Sequence, residues 1–140
     1  HDRLLRGPFA LGKMQRALDM CISWSKQRHT FGKPLAERQA IQWKLVDMYT
    51  DIQSLRALTY QMAARYDQGE DIRVEAGLIK LTSMDWGARC LDHGIQIHGA
   101  MGESLELPLT LFYRYLRHGQ IGGGTSEIQR MQIARKLLKD

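Results

Sequence analysis

A chain of 140 residues is long enough to bury one hydrophobic core without disulfide or metal staples, and 44% apolar with 25% charged residues excludes a disordered or fibrous protein. The 20 Lys and Arg against 15 acids leave a net charge of +5. That surplus favours an anionic partner, but the cations are spread at helical spacing rather than clustered, so a dedicated nucleic-acid patch is not expected.

Cys21 and Cys90 both fall inside apolar patterns and read as buried thiols of a reducing compartment. No apolar run approaches the length of a membrane span, so no membrane partner is expected, and cytoplasm or an organelle matrix fits. The opening "HDRLL" enters a helical pattern at once without an initiator Met, as one domain of a longer polypeptide would.

Leu4, Leu11, Met14, Leu18 and Ile22 recur at helical spacing and predict a first helix over about 3–27, with a kink at Gly7-Pro8. "RHTFGKPLAERQ" then carries Gly32 and Pro34, a breaker pair that predicts a loop. Ile41, Leu45, Met48, Ile52, Leu55, Met62 and Tyr66 extend one apolar stripe through a second, unusually long helix. It stops at "DQGED", where Gly69 reads as the position after the C-cap and Asp71 as the next N-cap.

Val74, Leu78, Leu81, Ala88, Leu91 and Ile95 make a third stripe that ends in "IHGAMGESLELP". Two shorter helices follow, near 107–118 and 125–138. Strand alternation never persists. The expectation is an all-α, up-and-down four-helix-type bundle: three long helices completed by shorter C-terminal ones.

A di-metal bundle site requires Glu-x-x-His, and no Glu here is followed by His at that spacing. His93 and His98 stand five apart, about 140° around a helix, which suits core or capping roles and not a shared metal. "GGGTSE" lacks the Lys of a phosphate-binding loop. Ser126 and Gln129 are spaced as a capping box, so this stretch reads either as an anion-binding helix start or as a flexible linker. Arg28 at a helix end and Phe31 beyond it have ordinary structural explanations when taken singly.

Taken together, "RHTFGKPLAERQAIQWKLVDM", "GIQIHGAMG" and "GGGTSEIQR" closely resemble the C-terminal helical domain of the acyl-CoA dehydrogenase family, over essentially the whole chain. The resemblance implies FAD held across a subunit interface of a homodimer or dimer of dimers. It also implies an N-terminal helical domain and a middle β-domain, neither of which lies within these residues. Arg28 corresponds to the arginine at the FAD pyrophosphate, with Thr30 and Phe31 beside it. Gln39 and Gln96 match glutamines near the adenosine half, and Gly99, Ala100 and Gly102 match the glycine turn that follows, Ala100 replacing a usual glycine. Thr125 and Glu127 match polar positions of the flavin loop.

The implied reaction is α,β-dehydrogenation of an acyl-CoA thioester, with a carboxylate removing the α-proton. Many members carry that base as Glu just before the Gly-Thr of the last motif, where this chain has Gly123. A minority place it on the first helix before an Arg, and the matching pair here is Asp2 and Arg3, the latter then lying with the substrate. Asp2 is equally an obvious N-cap residue. Gly123 would still offer a backbone N–H to the thioester carbonyl and would widen the acyl pocket. Tyr115 after Arg114, and "RHGQIGG" without the usual aromatic, are departures from the family pattern.

The implied partners are the acyl-CoA and electron-transferring flavoprotein, in the cytoplasm or mitochondrial matrix. The other open reading is a catalytically impaired relative that serves as a binding or assembly module for a partner subunit or nucleic acid, as in the family's DNA-binding branch.

Overall fold

The computed structural model describes residues 2–139. Three long helices, α1 (Asp2–Gln27), α2 (Gln39–Asp67) and α3 (Arg73–His98), are followed by a single turn α4 (Ala100–Glu103) and two shorter helices, α5 (Leu109–Gly119) and α6 (Ser126–Leu137). Between α1 and α2 a minimal hairpin pairs β1 (His29–Thr30) with β2 (Lys33–Pro34) and runs into a 3₁₀ turn at Leu35–Glu37. The bundle expected from the hydrophobic periodicity is the one observed.

Side-chain contacts set the directions. Gly7, early in α1, lies against Thr59, late in α2, and against Ile79, early in α3, while Cys21 near the end of α1 meets Gly94 near the end of α3. Hence α1 and α3 rise together and α2 descends between them. Leu116 packs at Gly87 and Leu109 at Gly94, so α5 descends along the upper half of α3. Ser126 bonds Asp85 and Lys136 bonds Glu75, so α6 continues the descent along the lower half. The fourth column of the bundle is therefore two helices end to end, and the glycine loop 120–125 is the joint between them.

The buried set of α1 is Gly7, Ala10, Met14, Ala17, Leu18, Cys21 and Ser25. Met14 and Leu18 match the predicted stripe, but Ile22 is exposed because the stripe drifts around the helix toward the smaller residues. The helix runs through Pro8 without interruption. In α2, Met48, Ile52, Leu55 and Met62 are buried as expected, with Thr59 continuing the line.

The third helix departs most from its periodicity. Val74, Leu78, Leu81 and Ile95 are only half-buried, while Ala76, Gly77, Ile79, Lys80, Ser83, Met84, Gly87, Cys90, Gly94 and Ile97 are buried. α3 is contacted by α1, α2, α5 and α6, and small side chains let them all approach.

Asp71 precedes the α3 N-cap, Ile72, and its carboxylate accepts from the Arg73 backbone N–H at 3.2 Å, so it fulfils the capping chemistry from one residue earlier. Gly69, with φ 81°, takes the left-handed position after the C-cap of α2, as the sequence predicts. His98 is a core residue: its Nδ1 lies 2.8 Å from the Gly94 carbonyl and its ring stacks on Trp24. Among the described residues no His, Cys, Asp and Glu group is arranged to hold a metal, and no helix is long and apolar enough to cross a membrane.

Two pairs of expected outcomes follow from this packing. A Cβ at Gly102 would lie 2.5 Å from the Ile95 carbonyl oxygen, whereas at Gly12 it would meet nothing within 4 Å. Urea denaturation should therefore show Gly102→Ala destabilising by about 1–3 kcal/mol and Gly12→Ala stabilising by about 0.5–1 kcal/mol. Burial pushes both the Cys21 and Cys90 thiols up to about 12 from an ordinary 9.0. Above pH 9 the unfolded chain releases thiol protons that the folded chain keeps, so folding stability should fall as pH rises from 9 toward 12. At pH 8 a thiol reagent should react with neither cysteine until the protein is unfolded.

Candidate functional site

The lower end of the bundle gathers residues from four separated stretches of sequence. Asp2 opens α1 and is held by Arg6 one turn later, whose Nη2 donates to both carboxylate oxygens at 3.1 and 3.2 Å. Gly123 and Gly124 have φ 68° and 90°, a backbone that L side chains adopt only under strain, and this turns the loop back over the start of α1. A Cβ built on Gly123 would sit 3.9 Å from Asp2 Oδ2, 3.8 Å from Arg6 Nη2 and 3.9 Å from Lys80 Cε. The Asp2 carboxylate thus flanks the space that a side chain at position 123 would fill.

The loop is fixed from beneath. Lys80 is 1% exposed and its ammonium donates to the Gly124 carbonyl, to which the buried Gln129 amide also donates at 3.2 Å. Burial holds the Lys80 amine below its ordinary value, and the neighbouring Arg6 and Arg3 charges push it the same way. Gln129 Oε1 has no hydrogen-bond partner among the described residues.

The start of α6 differs in detail from the predicted capping box. Thr125, not Ser126, is the N-cap and accepts from the Ile128 N–H at 3.4 Å. Ser126 instead donates to Asp85 at 3.2 Å and Gln129 turns back to Gly124, because both are buried against α3. Glu127 stays exposed in the first turn, where backbone N–H groups and the Thr125 hydroxyl hold its carboxyl below the usual range. Thr125 and Glu127 share a groove of about 360 Å³ with Asp85, Arg117, Gln120 and Arg130.

Arg3 points away from Asp2. Its Nη1 donates to Gln132 at 2.9 Å, and it lines a groove of about 520 Å³ with Arg73, Arg135 and Lys136 opposite Asp71 and Glu75. Four cations face two carboxylates there. Hydrogen bonds from Arg73 hold Asp71 down at about 2, and Lys136 holds Glu75 below the usual carboxylate range.

The remaining predicted residues occupy the upper end. Arg28 and Thr30 share a groove of about 340 Å³ with Trp24, His98, Gly99 and Ala100. Arg38 fastens the hairpin by donating to the Thr30 carbonyl at 2.6 Å. At the hairpin tip Phe31 and Gly32 both have positive φ, 49° and 75°, as a two-residue reversal of this hand requires. Phe31 is 98% exposed, so a bulky aromatic is held in the left-handed region with its ring in the open. Gln39 at the start of α2 and Gln96 in the last turn of α3 are exposed and do not line that groove.

The structure therefore unites Asp2 with Gly123, Thr125 with Glu127, and Arg28 and Thr30 with Gly99 and Ala100. Arg6, Lys80, Gln129 and the cations Arg73, Arg135 and Lys136 escape sequence reasoning. For Arg6 the available signal was its place four residues after Asp2. For Lys80 it was a cation on the small-residue side of α3, between Ala76 and Ser83.

Residues 1–138 match the family model described as "Acyl-CoA dehydrogenase, C-terminal domain". The mitochondrial short-chain specific acyl-CoA dehydrogenase of Rattus norvegicus is 39% identical over 93% of this chain and 32% of its own length. The mitochondrial isovaleryl-CoA dehydrogenase of Oryza sativa subsp. japonica is 37% identical over 99% of this chain and 34% of its own. The solved structure of butyryl-CoA dehydrogenase from Megasphaera elsdenii superposes with a TM-score of 0.93 at 36% identity, covering 98% of this chain and 36% of that one. The chain spans about a third of the length of the relatives it matches. With the three motifs, the bundle and the matched length in agreement, the chain belongs to the acyl-CoA dehydrogenase family and carries its C-terminal domain.

Proposed function

We propose that this chain forms one wall of an FAD-dependent acyl-CoA dehydrogenase site, in which Asp2 is the base that removes the α-proton of an acyl-CoA. The observation that carries the reading is the meeting of Asp2 Oδ2 with the space above Gly123 at 3.9 Å. A carboxylate supplied from α1 thereby reaches the place that a glutamate on the loop would otherwise fill. The adjacent Arg6 guanidinium holds the Asp2 carboxylate in place by donating to both of its oxygens. Gly123 contributes by leaving its backbone N–H free of any side chain, a donor suited to the thioester carbonyl as charge builds on its oxygen. The groove of Arg3, Arg73, Arg135 and Lys136 suits the phosphates of the CoA tail.

The residues present fit FAD. Arg28 is an exposed guanidinium beside a groove floored by Gly99 and Ala100, and at Gly99 an added Cβ would meet nothing within 4 Å. The α6 N-terminus directs backbone N–H groups and the Thr125 hydroxyl toward the other set. When bound, the flavin would supply the acceptor for the β-hydride.

These two sets lie apart along the bundle, the first at the far end of α1 and the second at the joint beside Asp85. One cofactor touching both sets then lies between two copies of the chain, as the family resemblance implies, Arg28, Thr30, Phe31, Gln39 and Gln96 serving the partner's. The exposed ring of Phe31, at a strain of about 1–3 kcal/mol, is what such a contact would use. By the same reading the 140-residue domain alone binds no flavin and has no turnover, and electron-transferring flavoprotein reoxidises the complete enzyme.

The test is anaerobic bleaching of the flavin by acyl-CoA in the complete polypeptide. Asp2→Asn keeps the size of the side chain and an oxygen that can accept from Arg6, but removes the base. It should leave the yellow holoenzyme and its melting temperature intact and slow bleaching on the order of 1,000-fold. Undiminished bleaching by Asp2→Asn would remove Asp2 from the mechanism.

A further inference from the structure

Resting on the dehydrogenase reading, we infer that Lys80 is a positioning residue: by holding the Gly124 carbonyl inside the bundle it turns the Thr125 N–H outward, so that the loop offers the flavin a donor and not an acceptor. Gly122, Gly123 and Gly124 leave the peptide planes of this loop without side chains to fix them. Turning such a plane over exchanges an outward N–H for an outward C=O. The peptide joining Gly124 to Thr125 is held from inside: Lys80 reaches its carbonyl from α3, and the Gln129 amide reaches the same oxygen from α6 at 3.2 Å. In a trans peptide the C=O and the following N–H point opposite ways, so the Thr125 N–H is turned away from both donors. Thr125 lines the groove it shares with Glu127, Arg117 and Arg130.

The surroundings serve this one contact. Lys80 is 1% exposed and Gln129 is fully buried, and among the described residues the Gly124 carbonyl is the one acceptor of the Lys80 ammonium. Gln129 has its seat because Gly77 and Gly124 carry no side chain, since a Cβ on either would lie 2.9 Å from its carboxamide. Packing alone would be met at position 80 by Met, without the cost of taking an ammonium out of water. What the ammonium adds is a choice between the two orientations, because a turned-over peptide would set the Thr125 N–H against it, donor to donor. Reduction adds electron density to a flavin, so an N–H facing it favours the reduced form and a carbonyl oxygen disfavours it. Lys80 touches no reacting atom and acts through the peptide it holds.

The test uses the complete flavin-loaded polypeptide as wild type, Lys80→Met, Lys80→Arg and Gln129→Leu. The two-electron midpoint potential of the bound flavin is measured for each, with flavin content and melting temperature, and kcat and KM are taken with whichever of butyryl-CoA and isovaleryl-CoA the wild type turns over faster. Lys80→Met should bind flavin yet favour its reduced form about tenfold less, a potential lower by about 30 mV. Its kcat should fall on the order of tenfold while KM stays within about twofold. Lys80→Arg, which keeps a cationic donor, should recover part of the potential, and Gln129→Leu should lower it by less than Lys80→Met does.

A Lys80→Met enzyme with the wild-type potential overturns the assignment, whatever happens to its melting temperature, since Lys80 would then serve only to pack the bundle. Where Lys80→Met yields no folded holoenzyme, Gln129→Leu decides: a lowered potential at full flavin content supports the clamp, and an unchanged one overturns it. Both of these results leave the dehydrogenase reading standing. A wild type that binds no flavin, or whose flavin neither thioester bleaches, removes the dehydrogenase reading and the role of Lys80 with it.

Discussion

The architecture depends on the close approach of four helices to α3. A helix that packs against several neighbours cannot present large side chains to all of them, and α3 meets its neighbours through Gly77, Ser83, Gly87 and Gly94. A Cβ on Gly87 would come within 2.8 Å of Leu116, so the seat of α5 is set by the absence of a side chain. The same constraint splits the fourth column. α5 covers the upper half of α3 and α6 the lower, and the chain must reverse its local path between them through Gly122, Gly123 and Gly124.

That joint is where the candidate site sits, and its order comes from below. A glycine-rich loop is ordinarily mobile, yet here the Gly124 carbonyl takes donors from two buried side chains, Lys80 and Gln129. An ammonium buried at 1% exposure is expensive unless it is bonded, so this contact holds the loop and satisfies the lysine at once. Under the proposed function, the acid that works beside this loop is delivered from another helix, by Asp2 of α1.

The length of α1 has a second consequence. Its 26 residues separate the Asp2 end from the Arg28 end, so the two groups of candidate residues lie far apart in one copy. Under the proposed function each copy completes two sites and owns neither. The exposed Phe31, the open Gly99 groove and the unlined Gln39 and Gln96 are then surfaces made for another copy and not defects of this one.

Helical periodicity with Gly and Pro punctuation determined the number, order and approximate limits of the long helices, since these depend on contacts a few residues apart. Three motifs at characteristic spacing likewise determined the family. What the sequence could not decide was which face of α3 is interior, because its buried side is wide and built largely of Ala, Gly, Ser and Lys80 rather than of one apolar stripe. It also misassigned the α6 cap to Ser126, since the choice of Thr125 follows from Asp85 drawing the Ser126 hydroxyl across to α3. The clamp by Lys80 and the approach of Arg6 to position 123 are likewise invisible along the chain. They join residues from the first helix, the third and the last loop, and only the packing of those elements brings their charges within a few ångströms.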